Sequence, residues 1–288
     1  MDRERIISEK IRKDENDYEL ALCRIAKEVS SNNDIRLVLI SGGSCAGKTT
    51  TTKKLASLIT AMGRHTHTIS LDDFYRNEED AVYLPDGTRD FESINSLEVG
   101  LIQSCLCNLI EGREAYIPRF DFISQRRTDN SEQIVLDYEE VAIIEGLHAL
   151  NPMLFCRGSG NSNSYKVYLH AKNGTDGDPR FIRRLVRDYY YRGADTAETF
   201  GQWDIVKHNE PEFIDQFAET ADIKLNTFFP YETGVLAEPA IKILSELPTD
   251  NKYSEKAGQL TEQLKKAEKI PTSYVPKNSL IQEFIKVN

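Results

Sequence analysis

The chain has 288 residues, 40% hydrophobic and 28% charged, which suits a folded domain with a sizeable core and excludes the disordered and membrane-embedded classes. Its net charge of −10 at pH 7 argues against a broad nucleic-acid surface, because phosphate backbones bind to positive faces. The charged amino-terminal stretch MDRERIISEKIRKDEND lacks the apolar run of a signal peptide, and no apolar run is long enough to cross a membrane. We therefore expect a cytoplasmic protein without a membrane or nucleic-acid partner.

The first predicted element is an amphipathic helix within residues 1–34, where apolar residues recur at near-helical spacing. A short apolar strand at 35–40 follows, and then a glycine-rich loop and the helical pattern TTTKKLASLITAM. Later strands and helical patterns alternate, with strands at 66–71, 141–145, 165–170 and 223–227 and helical patterns at 94–111 and 178–192. This alternation predicts an α/β fold with a mostly parallel sheet covered on both faces, since parallel neighbours need crossover connections.

The alternation of predicted strands and helices ends after residue 230. Helix-like stretches such as AEPAIKILSEL and SEKAGQLTEQLKKAEKI lead through the proline-punctuated IPTSYVPKNS to a last short segment, LIQEFIKV. We predict three parts: a helical lead-in (1–34), a main domain (35–230) and a helical C-terminal appendage packed on it (231–288).

Five cysteines are scattered without a CxxC pair or a matching histidine cluster, and we expect all of them to be reduced thiols: Cys23, Cys45, Cys105, Cys107 and Cys156. Cys105 and Cys107 are nearest to a metal-binding pair. They lie in the apolar helical stretch SLEVGLIQSCLCNLIEG, which favours core packing over metal binding.

The decapeptide SGGSCAGKTT, residues 41–50, fits the P-loop pattern G-x-x-x-x-G-K-[ST] between a predicted strand and a predicted helix. Its glycines allow backbone N–H groups to turn towards a phosphate, Lys48 adds a full charge, and the Thr49 hydroxyl can ligate Mg²⁺. The motif predicts a nucleoside triphosphate with magnesium. The residues predicted to bind ATP are Gly42, Gly43, Ser44, Cys45, Ala46, Gly47, Lys48, Thr49 and Thr50.

A P-loop alone is shared by GTPase switches, mechanical ATPases and small-molecule kinases. The chain lacks the D-x-x-G and N-K-x-D patterns of a GTPase, and its VAIIEG strand ends in a single acid, Glu145, where a mechanical ATPase usually carries paired acids. The sequence therefore favours a kinase.

An aspartate pair follows the second predicted strand in SLDDFYR, residues 70–76. Ligands of open α/β sheets bind at the carboxyl ends of the strands, so Asp72 and Asp73 should emerge on the P-loop side. Phosphoryl transfer needs a carboxylate that orients the acceptor hydroxyl and takes its proton, although an Asp pair can also simply cap a loop.

The largest basic concentration lies in RFIRRLVRDYYYRG, after the helix-start signal Asp178–Pro179. Four of its arginines are three, four or seven residues apart and should share one helical face: Arg180, Arg183, Arg184 and Arg187. Beside a P-loop, this pattern favours a mobile arginine lid over the triphosphate; the alternative is a solvated helix face.

The ordered motifs GGSCAGKTT, SLDDFYR, IPRFDFISQRR, VAIIEGLHAL and RRLVRDYYYRG closely resemble the uridine kinase and phosphoribulokinase branch of P-loop kinases, over residues 35–228. The resemblance implies a three-layer α/β P-loop fold of the NMP-kinase-like type, with an arginine-bearing lid helix. It also implies a dimer or tetramer. The tail VPKNSLIQEFI is similar to the end of bacterial uridine-kinase-like proteins that carry a TGS module, which this chain lacks.

The resemblance also implies roles for individual residues. Asp72 would be the catalytic base, and Glu145 would hold Mg²⁺ through water, beside Thr49. Catalysis would further depend on Lys48 and on two arginines that contact the phosphates, Arg187 and Arg192. The acceptor contacts would be Tyr75, Phe120, Phe122, Arg127, Arg184 and Gln202.

Three positions depart from the uridine kinase pattern in the acceptor half. Glu92 stands where uridine kinases have the Asp that holds the ribose hydroxyls, Gln125 where they have the His that reads the pyrimidine, and Ala194 where they have an arginine. Such polar groups decide discrimination among similar ligands, so the acceptor is predicted less firmly than the donor.

We expect an ATP-dependent kinase with Mg²⁺ as cofactor and a nucleoside acceptor. Two alternatives stay open: a kinase of a non-nucleoside acceptor such as a phosphosugar or a pantothenate-like acid, and an ATP-binding regulatory module without catalysis. His148, which follows the Glu145 strand, is expected to be a hydrogen-bonded structural group.

Overall fold

The computed structural model describes residues 2–84, 87–155, 163–172 and 178–285. Its centre is a five-stranded sheet in the order β2-β5-β1-β6-β7, and all four neighbouring pairs are parallel. The strands are β1 Leu37–Gly42, β2 Thr66–Ser70, β5 Val141–Glu145, β6 Ser164–His170 and β7 Ile223–Asn226. All six residues of β1 are buried, as its LVLISG sequence requires of a central strand between two layers.

Seven α-helices accompany the strands in the described residues. They are α1 Asp2–Ser30, α2 Lys48–Ala61, α3 Val99–Ile110, α4 Pro179–Arg187, α5 Thr196–Phe213, α6 Glu232–Leu244 and α7 Ser254–Leu264. A π-helical turn, Asp188–Arg192, continues α4, and a short 3₁₀ helix, Leu280–Phe284, follows α7. None of the helices in this part of the chain has the length and apolar character needed to cross a membrane.

The side chains of β1 alternate between the two faces of the sheet. Val38 and Ile40 pack into a core with α1, α2 and the 280–285 segment, whereas Leu37 and Leu39 pack into a core with α3. A third apolar cluster joins α4 and α5 to α6 and α7. The predicted three-layer α/β fold with a mostly parallel sheet is confirmed.

A two-stranded antiparallel hairpin, β3 Ala115–Asp121 and β4 Arg126–Ile134, forms a separate small sheet. It was not predicted. The β4 sequence RRTDNSEQI is almost entirely exposed, so it lacks the apolar alternation by which a half-buried strand is recognised.

The cysteine prediction holds in part. Cys23, Cys45 and Cys105 are free, and Cys105 and Cys107 are buried in α3, as core packing requires. The expectation of a reduced thiol is wrong for Cys107, which is disulfide-bonded. Its spacing to the other cysteines carries no sequence signal for such a bond. Cys156 lies outside the described residues.

Arg183 of α4 carries a fully buried charge at the centre of the molecule. Its guanidinium pairs with Glu232 of α6, with Nη2 and Oε2 2.6 Å apart, and both side chains are almost fully buried. It also donates to the backbone oxygens of Cys45 at 3.0 Å and Thr227 at 2.6 Å. These bonds compensate for the loss of hydration of both charges.

We expect Arg183→Met to lower the free energy of unfolding by about 3 to 5 kcal/mol, because Glu232 would be left as an unpaired buried charge. Urea denaturation of both proteins measures the difference. The double variant Arg183→Met/Glu232→Met, which removes both charges, should recover most of the loss. A loss in the single variant below about 1 kcal/mol, the range of exposed pairs, would contradict this account of the pair.

Candidate active site

The loop between β1 and α2 is wound around the side chain of Lys48. The Lys48 ammonium donates hydrogen bonds to the backbone oxygens of Gly42 at 2.9 Å and Gly43 at 3.2 Å. Because α2 begins at Lys48, its first-turn N–H groups and the positive end of its dipole open into the same loop. The predicted P-loop therefore has the local geometry of an anion-binding site.

Two glycines of this loop are required by close neighbours. A Cβ on Gly43 would lie 1.8 Å from Nη1 of Arg180 and 2.3 Å from Oε1 of Glu210. Gly47 has a φ of 82°, and a Cβ there would lie 2.4 Å from Cδ1 of Leu280. Side chains at these positions would displace the walls that fix the loop.

Three oxygen-bearing side chains meet at the ends of β2 and β5 and the start of α2. Oε1 of Glu145 accepts hydrogen bonds from the hydroxyls of Thr49 at 3.1 Å and Ser70 at 3.3 Å. Burial raises the pKa of Glu145, and the charge of Lys48 and the two hydroxyls oppose the rise. Hydroxyl and carboxylate oxygens are the ligands that Mg²⁺ prefers, so this cluster fits a magnesium ion.

The two adjacent aspartates after β2 have different surroundings. Oδ1 of Asp73 accepts a hydrogen bond from the Phe120 N–H at 3.2 Å, and its Oδ2 lies 3.7 Å from Arg119, so Asp73 anchors the hairpin. The Asp72 carboxylate makes no hydrogen bond or ion pair within the described part of the chain and is exposed in the cleft. Desolvation by the walls of the cleft gives Asp72 a raised pKa, and the charges of Lys48 and Arg192 only partly oppose this rise.

Two of the arginines predicted to share the lid face, together with Arg192, surround one buried carboxylate, Asp188 in the π-helical turn. Arg184 lies 3.2 Å from it, Arg187 2.7 Å and Arg192 3.6 Å. Arg184 also donates to Ser44 Oγ at 2.9 Å and to Gln202 Oε1 at 2.7 Å, which joins the lid helix to the P-loop. One carboxylate balances only one of three positive charges, so this cluster suits a polyanionic ligand.

The prediction of a four-arginine lid face is wrong for Arg180 and Arg183. Arg180 forms a buried bidentate pair with Glu210 and a second pair with Asp178. Arg183 is the buried partner of Glu232. Spacing on a helix shows which residues share a side, but it does not show which of them meet carboxylates from other elements.

Four aromatic rings stand together between the 71–74 segment and the hairpin. The Tyr75 ring lies 5.1 Å from Phe91, 5.6 Å from Phe120 and 5.9 Å from Phe122, all in edge-to-face contact. Phe120 is buried and Phe122 is about half exposed, so the aromatic group is packed on the side of Phe120 and open to solvent on the side of Phe122. This arrangement brings together the predicted acceptor contacts of SLDDFYR and RFDF.

Arg89 completes this aromatic group and was missed by sequence reasoning. Its guanidinium lies 4.8 Å from the Phe91 ring centre and 5.3 Å from that of Phe120, and Nη1 donates to Gln125 Oε1 at 2.9 Å. Gln125 itself sits at the hairpin turn with a φ of 51°. Arg89 stands alone between acidic and proline-containing segments, so no spacing pattern pointed to it.

The remaining predicted acceptor residues lie around the same cleft. Burial gives Glu92 a raised pKa, and the positive charges of Arg184 and Lys48 partly oppose the rise. Glu92 is therefore within electrostatic reach of the lid and the P-loop. Arg127 donates to the Tyr75 backbone oxygen at 3.3 Å and pairs with Glu98 and Asp129. His148 bonds the Glu92 backbone oxygen at 2.9 Å, and burial lowers its pKa to about 4, which fits the predicted structural role.

The 280–285 segment touches both the P-loop and the lid. Leu280 is packed against Gly47, and Glu283 Oε2 accepts a hydrogen bond from the Thr50 hydroxyl at 3.0 Å. On the lid side, the Tyr191 hydroxyl donates to the Ile285 backbone oxygen at 2.5 Å. The tail therefore does more than pack on the outside of the domain, which is all that the sequence predicted.

This sheet order, the P-loop at the end of β1 and the arginine cluster facing it define an α/β P-loop kinase fold. Residues 37–230 match the model of the phosphoribulokinase / uridine kinase family. The chain belongs to that family, whose members are phosphotransferases.

Several curated relatives are similar to the chain. A uridine kinase of Saccharomyces cerevisiae is 31% identical over 202 residues, which are 69% of this chain and 38% of the yeast protein. A uridine kinase of Deinococcus deserti is 27% identical over 207 residues, 72% of this chain and 91% of that protein. A solved structure described as a possible uridine kinase from Bacillus stearothermophilus has a TM-score of 0.50 at 18% identity, covering 73% and 98% of the two chains. That structure supports the fold alone.

We expect Leu280→Ala to lower the free energy of unfolding by about 2 to 5 kcal/mol and, in addition, to weaken nucleotide binding, because the wall behind Gly47 would be lost. Ile281→Ala is the matched control, since Ile281 is equally buried in the same segment. Urea denaturation and titration with ATP measure the two effects. Equal weakening of nucleotide binding in both variants would contradict a specific support of the P-loop by Leu280.

Proposed function

We propose that the chain transfers the γ-phosphoryl group of ATP to a hydroxyl group of a nucleoside. The observation that carries this proposal is the Asp72 carboxylate, which has no hydrogen-bond or ion-pair partner among the described residues, is exposed in the cleft and lies within the electrostatic reach of Lys48 and Arg192. A regulatory module that only binds ATP would have no use for a carboxylate kept free in this position.

The donor triphosphate would bind between the P-loop and the lid. The first-turn N–H groups of α2 and the Lys48 ammonium would hold the phosphates, and Arg187 and Arg192 would approach them from the lid side. Thr49 and Glu145 would hold Mg²⁺, which neutralises charge on the phosphate oxygens when it is bound.

The transfer step follows from the position of Asp72. Its carboxylate would accept the proton of the acceptor hydroxyl while the hydroxyl oxygen forms a bond to the γ-phosphorus. The bond between that phosphorus and the β–γ bridging oxygen breaks, and ADP leaves with the bond's electron pair. Lid arginines that are already paired with Asp188 need little rearrangement to stabilise the charge on the transferred group.

A nucleoside fits the acceptor side because its base is flat and its ribose carries hydroxyls. The edge of the nucleobase would lie against Phe120 and Phe122. Gln125 and Arg89 would offer polar contacts, and Tyr75 would form the floor of the pocket. Glu92 would accept hydrogen bonds from the ribose, and Arg184, Gln202 and Arg127 would border the site. The relatives described as uridine kinases support this class of acceptor.

The acceptor is identified by measuring ADP release with Mg·ATP and a panel of uridine, cytidine, adenosine, guanosine, a phosphosugar and pantothenate. We expect a pyrimidine nucleoside to give the fastest release. The phosphosugar or pantothenate as the sole acceptor would replace the nucleoside proposal by a non-nucleoside kinase. ATP binding without release in any arm would indicate the regulatory module.

We expect Asp72→Asn to reduce kcat by about 10²- to 10⁴-fold while ATP binding is retained, because the amide cannot accept the acceptor proton. Single-turnover phosphoryl transfer and ATP titration measure the two properties. Phosphorylation at the wild-type rate would show that Asp72 is not the base.

Asp73→Asn is the matched control. It removes an adjacent carboxylate of the same type, which the structure shows bonded to the hairpin through Phe120 and Arg119. Its effect should fall on KM for the acceptor more than on kcat, because it loosens the wall of the pocket.

The acid limb of kcat/KM for the acceptor should lie at a higher pH than an ordinary aspartate would give. Asp72 acts in its ionised form, and desolvation by the walls of the cleft raises its pKa above the ordinary value of 3.8. Activity is therefore complete above the raised pKa and is lost as the pH falls through it. A pH profile of kcat/KM for the acceptor measures this limb, because kcat/KM reports the ionisation of the enzyme before the acceptor binds; a midpoint at or below 3.8 would contradict the raised pKa.

A further inference from the structure

A cluster of potential metal ligands lies at the edge of the sheet opposite the phosphate site. His65 directly precedes β2, His67 is the second residue of that strand, and Glu140 directly precedes β5. Residues two apart in an extended segment point to the same side, so the two imidazoles face the same neighbour. The pairing of β2 with β5 brings Glu140 beside them.

The ligand atoms are close to the spacing that a small ion requires. Nδ1 of His65 lies 3.2 Å from Oε1 of Glu140, and Nε2 of His67 lies 3.2 Å from Oε2. All three groups offer ligand atoms within 4.8 Å of one another. Ligands of a tetrahedral zinc ion lie roughly 3.3 Å apart, given zinc–nitrogen and zinc–oxygen bonds of about 2.0 to 2.2 Å.

The backbone around these residues is held by the buried side chain of Arg64. Its guanidinium donates to the backbone oxygens of Glu139 at 2.9 Å and Glu140 at 3.2 Å, and to the oxygen of Val29 at 2.7 Å. The Val141 N–H bonds the His65 oxygen at 3.1 Å. The three ligand residues are therefore carried by fixed backbone, which reduces the entropy lost when an ion is bound.

Other contacts hold the carboxylate and the two rings together. Oε2 of Glu140 accepts a hydrogen bond from the Asp137 N–H at 3.2 Å. The ring centres of the two histidines lie 4.8 Å apart in edge-to-face contact. A single divalent ion would contact the carboxylate and both imidazoles.

We propose that His65, His67 and Glu140 form a binding site for Zn²⁺, with water in the fourth position. Two imidazole nitrogens and one carboxylate oxygen are ligands that zinc takes, whereas Mg²⁺ prefers oxygen ligands alone. The ion would cross-link the start of β2 to the segment that leads into β5.

The site is separate from the proposed magnesium site. The histidines and Glu140 lie at the starts of β2 and β5, whereas Ser70 and Glu145 end these strands on the phosphate side. His65 and Glu140 each lie five residues before Ser70 and Glu145, a separation of about 16 Å at 3.3 Å per residue, and His67 lies about 10 Å from Ser70. Zinc at this edge stabilises the strands that carry the catalytic cluster and is not required for transfer.

The test uses the full chain, freed of metal by EDTA and dialysis, and titrated with ZnCl₂ in a calorimeter. We expect one site in the wild type that is lost, or weakened at least about tenfold, in His67→Ala and in Glu140→Gln. His65→Ala, a change at a mostly exposed side chain, should weaken binding without disturbing the fold. His208→Ala, another exposed histidine, is the matched control and should bind as the wild type does.

Thermal melting and cobalt spectra distinguish this site from zinc bound by side chains elsewhere on the protein. Zinc should raise the melting temperature of the wild type, and this rise should be absent in His65→Ala, whose metal-free melting temperature should be unchanged. Co²⁺ should give the visible spectrum of a tetrahedral nitrogen–oxygen site. Unchanged zinc affinity in all three ligand variants, or a cobalt–thiolate band, would overturn the proposal and assign the ion to a different set of ligands.

Discussion

The buried guanidinium of Arg183 holds the phosphate loop, the end of the sheet and the C-terminal helices in one arrangement. It donates to Cys45 in the loop and to Thr227 after β7, pairs with Glu232 at the start of α6, and lies 5.3 Å from the ring centre of Phe284. A buried charge is tolerated only when its donors are satisfied, so each partner fixes the position of the others. Cys45, with a φ of 59°, is held in the left-handed region by this framework.

The arginines of α4 and of the π-helical turn that continues it thus divide into two groups with different tasks. Arg180 and Arg183 are buried among carboxylates and build the frame, whereas Arg184, Arg187 and Arg192 share Asp188 and keep an excess of positive charge. Asp188 and Arg192 both lie in the π-helical turn that continues α4, and such turns often occur at functional sites. The same segment therefore carries the buried ion pairs that stabilise the domain and the arginines of the lid, so the stability of the domain and the geometry of the lid are linked.

The sequence predicted the features that depend on local patterns. Apolar runs predicted the parallel strands, and glycine spacing predicted the loop around Lys48. The hairpin and Arg89 were missed because β4 has two exposed faces and Arg89 has no motif around it. The contacts of Leu280 and Glu283 with the P-loop join residues more than 200 positions apart, which spacing cannot show. The division into three parts at residues 34 and 230, and the dimer or tetramer, stay predictions.

The hairpin has its own two-stranded sheet, and its hydrogen bond from Phe120 to Asp73 ties it to the residue next to Asp72. Because it shares no strand with the five-stranded sheet, changes in its length or side chains leave the pairing of β1 with its neighbours intact. Under the proposed function, changes in the hairpin would therefore alter which acceptor is recognised and leave the residues around the phosphates unchanged. Exchanging the hairpin between relatives is the corresponding way to alter acceptor recognition by design.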